Sequence, residues 1–268
     1  MIGGTRDLSV RANWTFALLA ILGCATAQAQ GLERMTRDAV TSALAGMPRS
    51  GKLDLSAKDL SGLGLDGIDF RGANLSATVL NHARLRQATL DRCNLTVSFL
   101  EDADLTGAFL RNATLFSTQM AGAKLRDADL SGARLIADLR KADLSNAKIT
   151  RVDAAADMKN QSMGLMQTRF VGGIAVGADL SGSDFSRTDL SFSDFSGAKL
   201  VGTKLIRADL SGTKLGGADL TGADLSEAQL IDADLSHANL TDANLSGAEM
   251  RGVTGLQTAL AVRTRGLR

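Results

Sequence analysis

The sequence predicts a repeat solenoid, a fold in which many short units stack on one another. Two observations support this fold class. Every fifth residue from Leu55 to Leu135 is Leu, Phe or Met, and the same spacing returns from Leu180 to Met250. A small residue, most often Ala, stands two positions before most of these large apolar residues. A strict short repeat over most of a chain is the signature of stacked structural units.

The five-residue unit explains the composition of the repeats. Its period fits neither an α-helix nor a simple β-strand, so ordinary amphipathic patterns do not apply. In a stack, the large residue and the small residue before it point inward, and the other three point outward. The unit ADLSG at 128–132 shows this pattern, with polar residues at the outward positions. Gly two positions after the large residue, as in Gly107 and Gly182, suits a corner of the chain.

These units resemble the pentapeptide-repeat family, whose pattern is A-(D/N)-L-x-x. The in-register units that carry the resemblance cover residues 53–149 and 178–250. The resemblance implies an all-β fold, a right-handed, four-sided (quadrilateral) parallel β-helix solenoid with four units in each coil. A filled solenoid offers no concave, partly dry pocket in which polar groups converge, so we predict that the chain is not an enzyme.

Further segments are predicted around the repeats. Apolar residues at helical spacing favour a helix that ends near Pro48 and caps the open end of the stack, although a helix that binds a partner or a membrane surface is the alternative. The five-residue spacing slips once, between Leu135 and Leu139. The predicted order is a signal peptide (1–29), an N-terminal capping helix (31–48), repeat block 1 (53–149), an insertion or irregular coil (150–177), repeat block 2 (178–250), and a C-terminal cap with a basic tail (251–268).

The N-terminal residues are typical of an export signal. Arg6 and Arg11 precede an apolar run at 14–22, and Ala27-Gln28-Ala29 supplies small residues for cleavage. This predicts a periplasmic or secreted protein of a Gram-negative cell. Two alternatives remain open: lipidation at Cys24, which would give an outer-membrane lipoprotein, and retention of the segment.

The charges argue against nucleic-acid binding. The formal net charge of the chain is +1, and residues twenty apart are expected to stack on one side of the helix. This places Lys199 between Asp179 and Asp219, so the stacked charges neutralise one another. Some pentapeptide-repeat proteins resemble duplex DNA and inhibit DNA gyrase, but that role requires a dense negative surface along the rod. We therefore predict no nucleic-acid partner.

The residues also predict no catalytic site, metal site or cofactor. His82 and His237 lie on outward positions many coils apart, and no metalloprotease, phosphate-loop or paired-cysteine motif is present. Cys93 takes an inward position where a buried thiol replaces Ala.

The irregular segment supplies the candidate binding residues. Met163, Leu165, Met166 and Phe170 are predicted to contact a protein partner, because loops on rigid scaffolds often carry function. Simple packing on the rod and binding of Cu(I) by thioethers, including Met158, are the alternatives. The sequence thus predicts an exported, non-enzymatic scaffold for protein–protein interaction, with an unidentified protein partner. Lipid anchoring at Cys24 would add a membrane contact, and a homodimer through an end cap is a further alternative.

Overall fold

The computed structural model describes residues 31–46, 52–156 and 167–267. These residues wind as a β-helix in which the central residue of each five-residue unit bridges, in parallel, the equivalent residue of the next coil. Asp54 bridges Asn74, for example, and Asn74 bridges Asn94. One regular coil therefore contains four five-residue units, each of which forms one side. The predicted β-helix with four units in each coil is confirmed.

Two neighbouring sides of the rod are called side 2 and side 3, in chain order. Side 2 is a column of bridged residues that contains Asp138, Arg169, Asp189, Asp209, Gln229 and Glu249. Side 3 is the next column, which contains Lys124, Asp143, Ile174, Asp194, Lys214 and Asp234. Residues 171–172 and 191–192 stack at the corner between these two sides, where the N–H of Gly172 donates to Ser191 O.

Most sides of the coils are single bridges, and extended strands are few. The regular elements are β1 (Glu33–Arg34), α1 (Arg37–Ala45), β2 (Lys58–Asp59), β3 (Thr114–Gln119), β4 (Arg134–Asp138) and a 3-10 helix (Leu256–Thr258). Strands β1 and β2 pair in parallel, as do β3 and β4. Among the described residues, none of the helices has the length and apolar character needed to cross a bilayer.

The core is a ladder of inward residues that runs along the rod. Leu105 and Leu220 are fully buried, and so are Ala103 and Ala218 two positions before them. Both inward positions of the unit are therefore as predicted. Hydroxyls at some of the small positions donate to the backbone of an adjacent coil, as Thr203 Oγ1 does to Leu180 O at 2.9 Å. These bonds satisfy polar groups that burial would otherwise penalise.

The slip in the repeat corresponds to a shortened coil. Lys124 bridges Asp143, so this coil is one residue shorter than a regular coil such as the one from Asp104 to Lys124. The register between β3 and β4 shifts between Phe116 and Thr118, so that β3 uses one residue more than β4 over the paired stretch. This bulge absorbs the missing residue, and the inward ladder continues through Leu139.

The irregular segment is shorter than the predicted span of 150–177. Asp153 bridges Arg134 and Ile174 bridges Asp143, so both flanks belong to regular coils. Asp138 bridges Arg169, whereas a coil of regular length would have brought it to position 158. The coil from Asp138 to Arg169 is therefore 31 residues long, eleven more than a regular coil. On either side of the irregular segment, other residues replace the usual Ala, Asp and Leu of the unit, but the chain still follows the coils of the ladder.

The N-terminal segment is only partly helical. Thr36 caps α1 by accepting a hydrogen bond from the N–H of Ala39 at 3.2 Å, and Gly46 is the C-terminal cap. Residues 33–34 form β1 beside β2, so the predicted helix over 31–48 begins too early. The extended strand β1 pairs with the open backbone groups at the edge of the first coil, which a helix could not do.

The C-terminal segment was predicted to be a cap followed by a basic tail, and Leu256 and Ala259 do pack against the core. After the 3-10 helix, Leu260 bridges Asn239 and Arg265 bridges Asn244. The Arg263 guanidinium lies 2.5 Å from the carboxylate of Asp242. The arginines therefore extend the last coil, because its edge offers backbone groups and a carboxylate to bind.

Candidate interaction surface

Each corner of the rod is a four-residue turn that begins at the inward Leu. The N–H of Ala83 donates to Leu80 O at 3.0 Å, and His82 between them has a φ of 58°. This left-handed position suits Gly, which occupies many corners. Val97 and Phe192 take the same conformation, with φ of 59° and 58°. Such values are rare for β-branched and bulky residues, so these two corners are strained.

The recurrent Asp of the unit has a structural role that the sequence analysis missed. Asp234 Oδ1 accepts hydrogen bonds from the N–H of Ser236 at 2.9 Å and from its hydroxyl at 2.5 Å. Asn239 accepts from the N–H of Thr241 in the same way. The side-chain hydroxyl and then the N–H of Ser236 hold the pKa of Asp234 below its ordinary value. The many aspartates are thus turn caps, and their abundance does not indicate a ligand.

The outward charges pair between coils as predicted for block 2. Lys214 Nζ lies 3.5 Å from Asp194, and Lys204 Nζ lies 3.5 Å from Asp184. These pairs are exposed, and each stabilises the fold only weakly.

Block 1 has stronger arginine pairs. Arg111 donates through Nε and Nη2 to Asp91, with the shortest contact at 2.5 Å. Partial burial alone would raise the pKa of Asp91, but the hydrogen bonds from Arg111 outweigh burial and hold that pKa below its ordinary value.

The predicted contact residues are not brought together on the described surface. Met158, Met163, Leu165 and Met166 lie outside the described residues, as does Cys24. Phe170 is 3% exposed, and its ring centroid is 5.7 Å from that of Phe195 in the core. Its assignment to a surface contact is therefore corrected. Phe170 lies two five-residue units before Leu180. Because this spacing marks inward positions, the sequence could have indicated that Phe170 is buried.

The described residues place few reactive groups together. They contain no cluster of three His, Cys, Asp or Glu side chains that could hold a metal ion. Cys93 is buried and donates its thiol hydrogen to Phe70 O at 2.9 Å, and burial raises its pKa to about 12. A cavity lined by Leu139 and Phe170 has a volume of about 10 Å³, which holds no more than one water.

A groove of about 300 Å³ lies on side 2, beside the point where the chain re-enters the ladder at Gln167. Arg187, Arg207, Asp189 and Asp209 are among the residues that line the groove. Asp189 and Asp209 stack as adjacent carboxylates, and Arg169 precedes Asp189 in the same column. The groove therefore interrupts the charge-neutralised pattern of the rod.

The parallel ladder and five-residue units define a β-helical repeat protein. The family profile described as "Pentapeptide repeats" matches the chain in eight copies, at residues 59–96, 100–132, 165–202, 203–242 and 218–254. These segments cover more than half of the chain, which therefore belongs to the pentapeptide repeat family. Family membership implies a right-handed β-helix, and members are generally non-enzymatic structural proteins.

Several solved structures are similar to this chain. HetL, a pentapeptide repeat protein involved in heterocyst differentiation regulation from the cyanobacterium Nostoc sp. strain PCC 7120, is 29% identical, with 84% of this chain and 99% of HetL covered and a TM-score of 0.44. Trypsin-treated QnrB1, a plasmid-mediated fluoroquinolone resistance protein, is 19% identical, with 80% and 91% covered and a TM-score of 0.42. A pentapeptide repeat protein from the Arabidopsis thaliana thylakoid lumen is 24% identical, with 57% and 76% covered and a TM-score of 0.16. No curated protein matches the chain.

Proposed function

We propose that this chain is an exported, non-enzymatic scaffold that binds a protein partner in the cell envelope. The partner binds in the groove on side 2. The observation that carries this proposal is the stacking of Asp189 on Asp209 in a groove that Arg187 also lines. Asp189 and Asp209 both cap turns, by accepting hydrogen bonds from Ser191 and Ser211. Asn caps the same turn elsewhere in the chain, so the turns do not require two stacked like charges, which destabilise a fold, and the retained charge favours a role in recognition.

The groove fits an extended polypeptide segment that carries both charge signs. A basic side chain of the partner would lie between Asp189 and Asp209, and an acidic one would reach Arg187. Arg207 is held by Glu227, with Nε 2.7 Å from the carboxylate, and so contributes a fixed wall. The walls are rigid because each lies on a hydrogen-bonded coil, which limits the entropy lost on binding.

Substitution of the two carboxylates by amides tests this site without altering the turns. Asn caps the same turn elsewhere in the chain, so Asp189→Asn/Asp209→Asn should fold normally. We expect this variant to lose a partner that is cross-linked to the wild-type chain in intact cells. The matched control is Asp219→Asn/Asp224→Asn, which removes two charges from other sides and should retain the partner. Equal recovery by both variants would refute the groove as the binding site.

Export is supported by Arg6, Arg11 and the apolar run at 14–22, followed by Ala27-Gln28-Ala29. We expect the mature protein to begin near Gln30 and to be recovered from the periplasm. The alternative is a lipid-anchored envelope structural protein modified at Cys24. Intact-mass measurement distinguishes them, because a lipid adduct that disappears in Cys24→Ala would establish the anchored form.

The proposed scaffold includes a cap at its N-terminal end. Val40 of α1 is fully buried, and Leu44 packs against the core. Arg37 Nη1 donates to Gly64 O at 2.7 Å and fixes the helix to the first coils. We expect Val40→Asp to lower the melting temperature, and unchanged stability would show that α1 caps nothing.

A further inference from the structure

An apolar patch interrupts the charges of side 3 and its corner with side 2. Ile174 is 42% exposed and takes the place of a charged residue between Asp143 and Asp194 in the column. Phe192, one coil further on at the corner, is 70% exposed. Exposed aromatic residues beside aliphatic ones are typical of protein interfaces.

Phe192 does not serve the fold of its own chain. Its φ of 58° is unfavourable for a bulky residue, and Gly is the usual residue at such corners. Its ring covers Gly212, where a Cβ atom would lie 2.6 Å from the ring Cδ1. The equivalent corner one coil earlier is Gly172, which has open space where its Cβ would lie. An exposed ring and an uncovered corner glycine therefore lie side by side on one edge.

We propose that side 3 is a homodimer interface in which two antiparallel copies pack face to face. The two-fold axis lies in the interface, perpendicular to the rod, and passes between the coils of Ile174 and Asp194. Such an axis keeps the corner between sides 2 and 3 against the same corner of the second copy. Phe192 of each copy then fills the open space at Gly172 of the other, and Val171 flanks that contact.

The charges of side 3 are self-complementary about this axis. Each coil faces the coil that lies equally far on the other side of the axis, so Lys214 faces Asp143 of the second copy and Lys124 faces Asp234. Within its own chain, Lys214 lies 3.5 Å from Asp194, and Asp143 accepts from Arg126 at 2.5 Å. The pair of Lys124 and Asp234 therefore carries most of the charge complementarity. Each pair occurs twice because the dimer is symmetric. Ile174 faces Asp194, whose carboxylate is held within its own chain by the N–H and hydroxyl of Ser196. Opposite charges that face each other across a contact set the register of association.

A parallel arrangement lacks this complementarity. A two-fold axis along the rod would place each coil against the same coil of the second copy, so Asp143 would face Asp143 and Lys214 would face Lys214. It would also carry Phe192 to the opposite corner, away from Gly172. The corners that flank side 3 include Gly177, Gly197 and Gly217, and their lack of side chains permits the close approach that either arrangement needs.

Sedimentation equilibrium of the purified chain tests the dimer. We expect a reversible dimer whose dissociation constant rises by at least about tenfold in Phe192→Gly, since each dimer loses two buried rings. This variant should fold at least as well as the wild type, because Gly is favoured at that corner. The matched control is Phe109→Ser, which removes a ring that is 41% exposed on another side and should leave the dissociation constant unchanged.

Charge exchange tests the antiparallel register. Lys124→Glu should weaken the dimer by placing two carboxylates together, and the added change Asp234→Lys should restore it. A chain that stays monomeric up to near-millimolar concentration would overturn the proposal. So would a dimer that tolerates Phe192→Gly but dissociates in Leu260→Asp, which would indicate end-to-end association. The test needs no envelope partner and does not involve the side 2 groove, so its failure would leave the proposed function standing.

Discussion

Replacement of Leu220 by Ala should destabilise the fold by about 3–4 kcal/mol. Leu220 is fully buried, and Leu200 and Leu240 occupy the same ladder in the adjacent coils. The substitution removes three carbons, which at about 0.8 kcal/mol for each buried carbon amounts to about 2.4 kcal/mol of lost transfer free energy. The remainder is the cost of the cavity, since hydrogen-bonded coils on both sides cannot close over it.

Urea unfolding followed by circular dichroism would measure this loss. Leu260→Ala is the matched control, because Leu260 is 53% exposed on the outside of the last coil. We expect that variant to lose less than about 1 kcal/mol. Equal losses in the two variants, or a loss below about 1 kcal/mol in Leu220→Ala, would refute an inward ladder that stabilises the rod through burial.

Four further predictions concern the corner, a carboxylate, the thiol and the irregular segment. Val97→Gly should raise the free energy of unfolding by about 1 kcal/mol, since it relieves a left-handed conformation; an unchanged urea midpoint would count against strain at that corner. The pKa of Asp91 is depressed in the folded state, so its stabilisation is present above the ordinary value of 3.8 and is lost as pH falls through the folded value. The loss of stability in Arg111→Met should therefore be largest near neutral pH and shrink in acid, and a pH-independent difference would contradict this. In a Cys24→Ala background, Cys93 should react with a thiol reagent only at the rate of unfolding, because the folded thiol has a pKa of about 12; rapid labelling of the native chain would show that it is accessible. Replacement of residues 157–166 by a short Gly/Ser linker should leave the melting temperature nearly unchanged, since both flanks already belong to complete coils, whereas loss of folding would assign that segment to the core.

The sequence predicted the ladder because each unit repeats the same order of a small, a polar and a large apolar residue. Leu105 and Leu220 were placed inward correctly, and the slip after Leu135 was located correctly. The bulge opposite that slip was not predicted, since it depends on how β3 and β4 align. Phe170 was misassigned because the sequence around it lacks the small residue and Asp that mark an ordinary unit.

The surface was harder to predict than the core. Stacking of Asp189 on Asp209 followed from the regular spacing of the coils, but the groove beside it did not. Gln167 lines the groove because the chain re-enters the ladder there, at the end of the lengthened coil that joins Asp138 to Arg169. The five-residue spacing alone could not predict which residue would bridge Asp138. The turn-capping role of Asp was also missed, because a repeated carboxylate has the same spacing whether it binds a turn or a ligand.

Among the described residues, the backbone hydrogen bonds between coils join each coil to the adjacent ones, which has a mechanical consequence. Under tension applied at its two ends, the rod should unwind one coil at a time, as nearest-neighbour stacks do. A regular coil, such as the one from Asp189 to Asp209, should release up to about 70 Å of extended chain. The coil between Asp138 and Arg169 is longer and should release up to about 110 Å. A force–extension trace should therefore contain a single long interval among nearly equal ones, which marks the position of the irregular coil along the rod.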